Sequence, residues 1–169
     1  MAAQGLDDEA ASRWCGWLDG RLEAACVGEW NAEVLDLSSN KLTAAGLGLI
    51  LWLLLHYHVQ CDAVRLSSNL LDDNALWELT RFVIKQREAT TALYLSDNQI
   101  SAYGLFWLLA ATANHTLYPL WSSGSFVPLW VELEGNNLPD DALEELFASS
   151  RYRVQPIQQA IHKQARWNK

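Results

Sequence analysis

Aliphatic residues return along this chain in blocks, alternating with polar residues first and then spacing out to every third or fourth position. Four blocks open on aliphatic-x-Leu-x-x-Asn: Leu35 to Asn40, Val64 to Asn69, Leu93 to Asn98 and Val131 to Asn136. Their asparagines lie 29, 29 and 38 residues apart. Two places after each comes Leu42, Leu71, Ile100 or Leu138, and six places after it a small residue, Gly46, Ala75, Gly104 or Ala142. Leucine follows at +7 in all four, and Ile50, Leu79, Leu108 or Leu146 at +10.

Alternation in the opening phrase sets two apolar side chains on one face of a short strand. The +7, +10 and, in part, +14 positions (Leu54, Val83) make one stripe of a helix. Each block therefore predicts a strand followed by a helix. Neither buries its apolar face alone, so successive blocks stack, with strands joining in a parallel sheet and helices covering one side. The small residue at +6 lets the helix start close to the strand layer. The asparagine stands where the chain leaves the strand, and its amide suits backbone groups stranded in that turn, including those of the neighbouring block.

These residues resemble the leucine-rich-repeat superfamily, in its ribonuclease-inhibitor-like class with a full helix in every unit. The resemblance spans Val34 to Phe147. It implies an α/β solenoid, with parallel strands on the concave side and helices on the convex side, and a protein-binding role. The matching residues Asn40, Asn69, Asn98 and Asn136 form a structural ladder, so the resemblance points to no partner and transfers no catalytic residue.

Around the repeats the chain divides into three parts. Residues 1–30 read as an N-terminal helical cap: a helix from Asp7 to Cys26, its acidic first turn suited to the helix dipole, with Trp14, Trp17, Leu18 and Leu22 on its apolar side. Residues 31–150 hold four repeats, the last displaced by an insertion at about 117–128. There Pro119, Pro128 and the run Ser122 to Ser125 predict a projecting loop. Two related phrases, Tyr118-Pro119-Leu120-Trp121 and Val127-Pro128-Leu129-Trp130, make Trp121 a candidate contact. Residues 151–169 form a tail, whose segment Val154 to Ile161 reads as closing the far end of the stack.

Charge sharpens this division. Residues 1–150 hold all 20 acidic residues and seven Lys or Arg, a net of −13, while the tail carries Arg151, Arg153, Lys163, Arg166 and Lys169 with no acid. An acidic body argues against a surface built to neutralise phosphates, which leaves the tail as the one part suited to nucleic acid.

Two faces are candidates for a partner. The solvent-facing strand positions are Asp36, Arg65, Tyr94 and Glu132, then Ser38, Ser67, Ser96 and Glu134. This face is small and hydrophilic, with Arg65 and Tyr94 its main binding groups. On the helices, positions +8, +9 and +12 face away from the core stripe. They carry Leu49 and Trp52 in unit one, Trp77 in unit two, and Phe106 and Trp107 in unit three, whereas unit four has Glu144, Glu145 and Ala148. Those five apolar residues are expected to form one neighbouring group. It would rival the largest apolar patch of an ordinary monomer, about 300–600 Å², and tryptophan is favoured as an interface anchor.

Catalytic patterns are missing from the sequence. There is neither a glycine-rich phosphate loop nor a G-x-S-x-G turn, and His56-Tyr57-His58 lacks zinc-site spacing. No enzyme activity, cofactor or metal is expected. Three cysteines without a C-x-x-C pair suit a reducing compartment. The longest apolar run, Gly46 to Leu55, is shorter than the roughly 20 residues of a bilayer span. Met1 to Leu6 does not read as a signal peptide, so the expected location is the cytoplasm or an organelle interior, with a removed targeting peptide left open. The expected role is an accessory or scaffold subunit of a multi-protein complex, docking through the aromatic helix face and the Pro-Leu-Trp loop. The alternatives are a free-standing adaptor binding on the sheet face and an RNA-associated factor using the tail.

Overall fold

Each opening phrase becomes a strand and each stripe behind it a helix. The computed structural model describes residues 1–25, 30–118, 120–122, 125–127 and 129–149. Its elements run α1 (Asp8–Ala24), β1 (Trp30–Asp36), α2 (Ala44–His56), β2 (Val59–Arg65), α3 (Asp73–Val83), β3 (Ala92–Tyr94), α4 (Ala102–Ala113), β4 (Leu120–Ser122), β5 (Ser125–Val127), β6 (Trp130–Glu132) and α5 (Asp140–Ser149). The fold is α/β. Strands β1, β2, β3 and β6 form a four-stranded parallel sheet in that order, and each helix packs against the next along the chain.

Register follows the sequence phrases. Leu35 pairs with Val64, Val64 with Leu93, and Leu93 with Val131, so equivalent aliphatic positions lie side by side across the sheet. Leu37, Leu66 and Leu95 next to them meet Leu47, Leu76 and Leu105 from the helices, and all six are at most 1 % exposed. The buried face of each inner helix is wider than the sequence stripe. Position +11 is buried as well, as Leu51, Thr80 and Leu109, because helices flank it on both sides.

The helices begin at matching places. Thr43, Asp72 and Ser101, three residues after their asparagines, are N-caps whose side chains accept from Ala45, Ala75 and Tyr103 N–H. The asparagines tie the turns together. Asn69 Nδ2 donates both to its own Leu66 carbonyl and to Leu37 of the preceding unit, each at 3.0 Å, while its Oδ1 accepts from Leu42 N–H. Asn98 does the same with Leu95, Leu66 and Leu71, and Asn136 with Leu133, Leu95 and Ile100.

The same offsets describe the first 24 residues. Gln4 stands in the asparagine position, followed by Leu6 at +2, the N-cap Asp7 at +3, Ala10 at +6, Ala11 at +7, Trp14 at +10 and Leu18 at +14. Leu6 N–H donates to Asn40 Oδ1 at 2.8 Å, as Leu42 N–H does to Asn69. Residues 1–24 thus reproduce the turn and the helix of a unit, and α1 takes its place beside α2.

Two expectations need correcting. The insertion carries an antiparallel hairpin, β4 with β5, where the sequence reads as a loop; its register is Leu120 with Val127 and Trp121 with Phe126. Tyr118 and Leu129 anchor its two ends in the core. The small residue at +6 also has a different cause. A Cβ on Gly104 would strike the carboxylate of Asp73, and one on Gly46 that of Asp8, so the space belongs to the preceding helix rather than to the sheet.

Burial gives the fold a pH limit. It pushes the Cys61 thiol up from 9.0 to about 12 and the Tyr118 phenol up from 10.0 to about 12. Both raised groups favour folding in their protonated form, so their contribution is complete below the unfolded values and lost as pH rises through the folded ones. Urea unfolding at a series of pH values should show stability falling between about pH 9 and 12, and Cys61 should react with thiol reagents only on unfolding.

Candidate interaction surface

Because the helices start in phase, residues at +8 on one helix meet those at +9 on the next. Gly48 lies against Glu78 in this way, its Cβ direction 3.5 Å from Glu78 Cγ. One helix further on, Trp77 meets Trp107 edge to face, with ring centroids 6.1 Å apart and planes at 88°. Phe106 and Tyr103 approach the Trp107 ring at 5.5 and 6.2 Å, again edgewise. Such pairs are worth about 0.5–1.5 kcal/mol each beyond area burial, so the four rings hold one another in place. They do so largely in water: Trp77 is 50 % exposed, Trp107 41 % and Tyr103 66 %. Phe106 is half-buried.

Ring contacts join part of the five-residue group expected from sequence. Trp77, Phe106 and Trp107 come together on α3 and α4. Trp52, exposed at 62 %, instead stacks on His56 of its own helix at 5.3 Å and 11°, with Leu49 exposed one turn earlier. On α3 the +9 and +12 positions between them hold an ion pair, Glu78 with Arg81 at 3.1 Å. Tyr103 was missed because it stands at +5. Its signal was the i, i+4 spacing to Trp107 on a helix surface.

The sheet face satisfies itself. Arg65 reaches Asp36 at 3.7 Å and lies over the Tyr94 ring at 5.4 Å. Asp36 accepts from Ser38 Oγ at 2.6 Å, and this bond, aided by the Arg65 charge, holds its carboxyl below the usual range. Ser96, expected to face solvent, is buried and donates to Glu132 at 2.7 Å. Few groups there are left to recognise a partner.

Other features can be placed more briefly. The side chain of Trp121 lies outside the described residues, as do Arg151, Arg153, Lys163 and Arg166. Among the described residues no three His, Cys, Asp or Glu side chains gather as a metal site. No described helix is long and apolar enough to cross a membrane. No family model matches the chain, and no curated protein matches it. Fold and surface together define the class: an α/β protein with a four-stranded parallel sheet, alternating helices and an aromatic outer helix face.

Proposed function

We propose that this protein is a non-catalytic interaction module of the leucine-rich-repeat type, serving inside the cell as an accessory or scaffold subunit of a larger assembly. It docks through its helix face, with the β4–β5 hairpin and Trp121 as a second contact. The observation that carries this reading is the exposed edge-to-face cluster of Trp77, Trp107, Tyr103 and Phe106. Interfaces draw most of their energy from a few large aromatic or arginine anchors, and rings already held in one geometry lose little entropy on binding. The repeated Asn-anchored turns support the repeat-module part, since they build a stiff frame for such a surface. Free Cys15 and Cys61 suit a reducing interior.

Affinity purification from the native source tests this. The variant Trp77→Ser with Trp107→Ser removes three edge-to-face pairs, worth about 0.5–1.5 kcal/mol each, and is confirmed to be folded by circular dichroism and thermal unfolding before recovery is compared. It is expected to recover its co-purifying partners at least tenfold less well than the wild type. Retention of the same partners would sink the proposal. Loss instead on Arg65→Ala with Tyr94→Ala would favour an adaptor that binds on the sheet face.

A further inference from the structure

Two turns meet where β2 begins. In one, His58 takes a φ of 54° and carries the chain from α2 into β2; in the other, residues 84–88 lead out of α3. Gln60, 4 % exposed, holds the second turn. Its Oε1 accepts from Arg87 and Glu88 N–H, each at 3.2 Å, and its Nε2 donates to the Glu88 carbonyl at 3.1 Å. Gln86, 7 % exposed, reaches back to β2, where its Oε1 accepts from Cys61 N–H at 2.9 Å. Both glutamines line a cavity of about 30 Å³, together with Leu55, His58, Lys85 and Arg87.

Gln86 is only half satisfied. The Cys61 N–H fixes which end of the amide is oxygen, so Nε2 is the end left over, and it meets no acceptor among the described residues. Buried polar groups without a partner are rare, and each calls for a water or an ion that completes it. The nearby helix-end carbonyls are already engaged: those of Leu55, Phe82 and Val83 accept from His58, Lys85 and Gln86 N–H.

The groups around this amide are of one kind. Lys85 is exposed and has no acidic partner among the described residues, whereas Arg13, Arg65 and Arg81 each have one. Arg87 brings a second positive charge to the same cavity, and none of the residues lining it is acidic. The pocket is basic in a body whose residues 1–150 carry a net of −13. An amide N–H, an ammonium and a guanidinium all donate, so the occupant must accept and carry negative charge. Two fixed positive charges match a dianion. One water needs roughly 10–15 Å³, so the cavity takes about two oxygen atoms and leaves the rest of the group at its open side. We propose that this cavity binds a phosphate group, of inorganic phosphate or of a small phosphomonoester, with Gln86 Nε2, Lys85 and Arg87 as donors.

The test follows the Gln86 side-chain amide by NMR in the full chain at constant ionic strength. Inorganic phosphate and ethyl phosphate are titrated separately, with chloride as the control. Phosphate should move both N–H signals along a saturating curve, and chloride should not. Saturation by ethyl phosphate as well assigns the site to an ester; saturation by inorganic phosphate alone assigns it to the free ion. Lys85→Gln with Arg87→Gln should weaken binding at least tenfold. Lys41→Gln, which removes an exposed charge before the other end of α2, should leave it unchanged. Gln86→Glu keeps an acceptor for Cys61 N–H but loses the donor, and should abolish binding. Circular dichroism checks that each variant is folded, and the Lys85, Arg87 pair carries the test if Gln86→Glu does not fold. Failure of both phosphates to saturate means a bound water only and overturns the proposal. So does an equal response to chloride, or full affinity in the Lys85→Gln, Arg87→Gln variant.

Discussion

Asn98→Ala is expected to destabilise the protein by about 3–5 kcal/mol, the largest effect of any single substitution considered. Asn98 is 7 % exposed and its amide serves two turns at once. Oδ1 accepts from Leu71 N–H at 3.1 Å, and Nδ2 donates to the Leu66 and Leu95 carbonyls at 3.0 Å. Alanine strands the Leu71 N–H, at a cost of about 1–3 kcal/mol. The two carbonyls keep one partner each, from Asn69 and Asn136, so they lose only a net bond apiece, about 1 kcal/mol. At roughly 2–4 °C per kcal/mol for a domain of this size, thermal unfolding should move down by about 6–20 °C. Asn136 is half-buried and at the end of the ladder, so its alanine variant should cost less. A loss below about 1 kcal/mol at position 98 would mean that the ladder is ornamental.

Gly104→Ala should destabilise by about 2–3 kcal/mol, against the usual sign. In an ordinary helix this exchange stabilises by roughly 1 kcal/mol. Here the new Cβ would strike the Asp73 carboxylate and lie 3.1 Å from Asp73 Cα, which is backbone and cannot swing away. That carboxylate accepts from Ser101 N–H at 2.8 Å and from Ser101 Oγ at 2.6 Å, so the clash also breaks the clamp joining α3 to the start of α4. Overpacking of this kind costs about 1–3 kcal/mol. A double-mutant cycle checks the cause. Combined with Asp73→Ala, the glycine substitution should cost at least 1 kcal/mol less than it does alone. Simple additivity would refute the contact.

The strand–helix alternation was legible because each unit writes its own period: two in Leu35 to Leu37, nearer 3.6 from Leu47 to Leu54. The first unit was harder to see. Its offsets from Gln4 match the others, but glutamine replaces the marker residue. The hairpin was hidden for a different reason. Pro119 and Pro128 read as breakers of the whole segment, which concealed the short strands Leu120–Ser122 and Ser125–Val127. Of the candidate surface, exposure of Trp52, Trp77 and Trp107 followed from helix phase alone.

Periodicity is a property of residues close together in the chain, and it suffices for element type, core stripe and the recurrence of the asparagines. Contacts between units depend on how neighbouring helices are rotated and spaced, which the sequence of either one does not contain. Lateral packing decided that Trp77 meets Trp107 while Trp52 turns to His56. It also explains why Gly46 and Gly104 must be small, since the atoms that exclude a side chain there belong to Asp8 and Asp73, 38 and 31 residues earlier. That β1, among the described residues, pairs on one side only belongs to the same class of fact. A strand's residues make it pair, but only the assembled sheet shows which side is left without a partner.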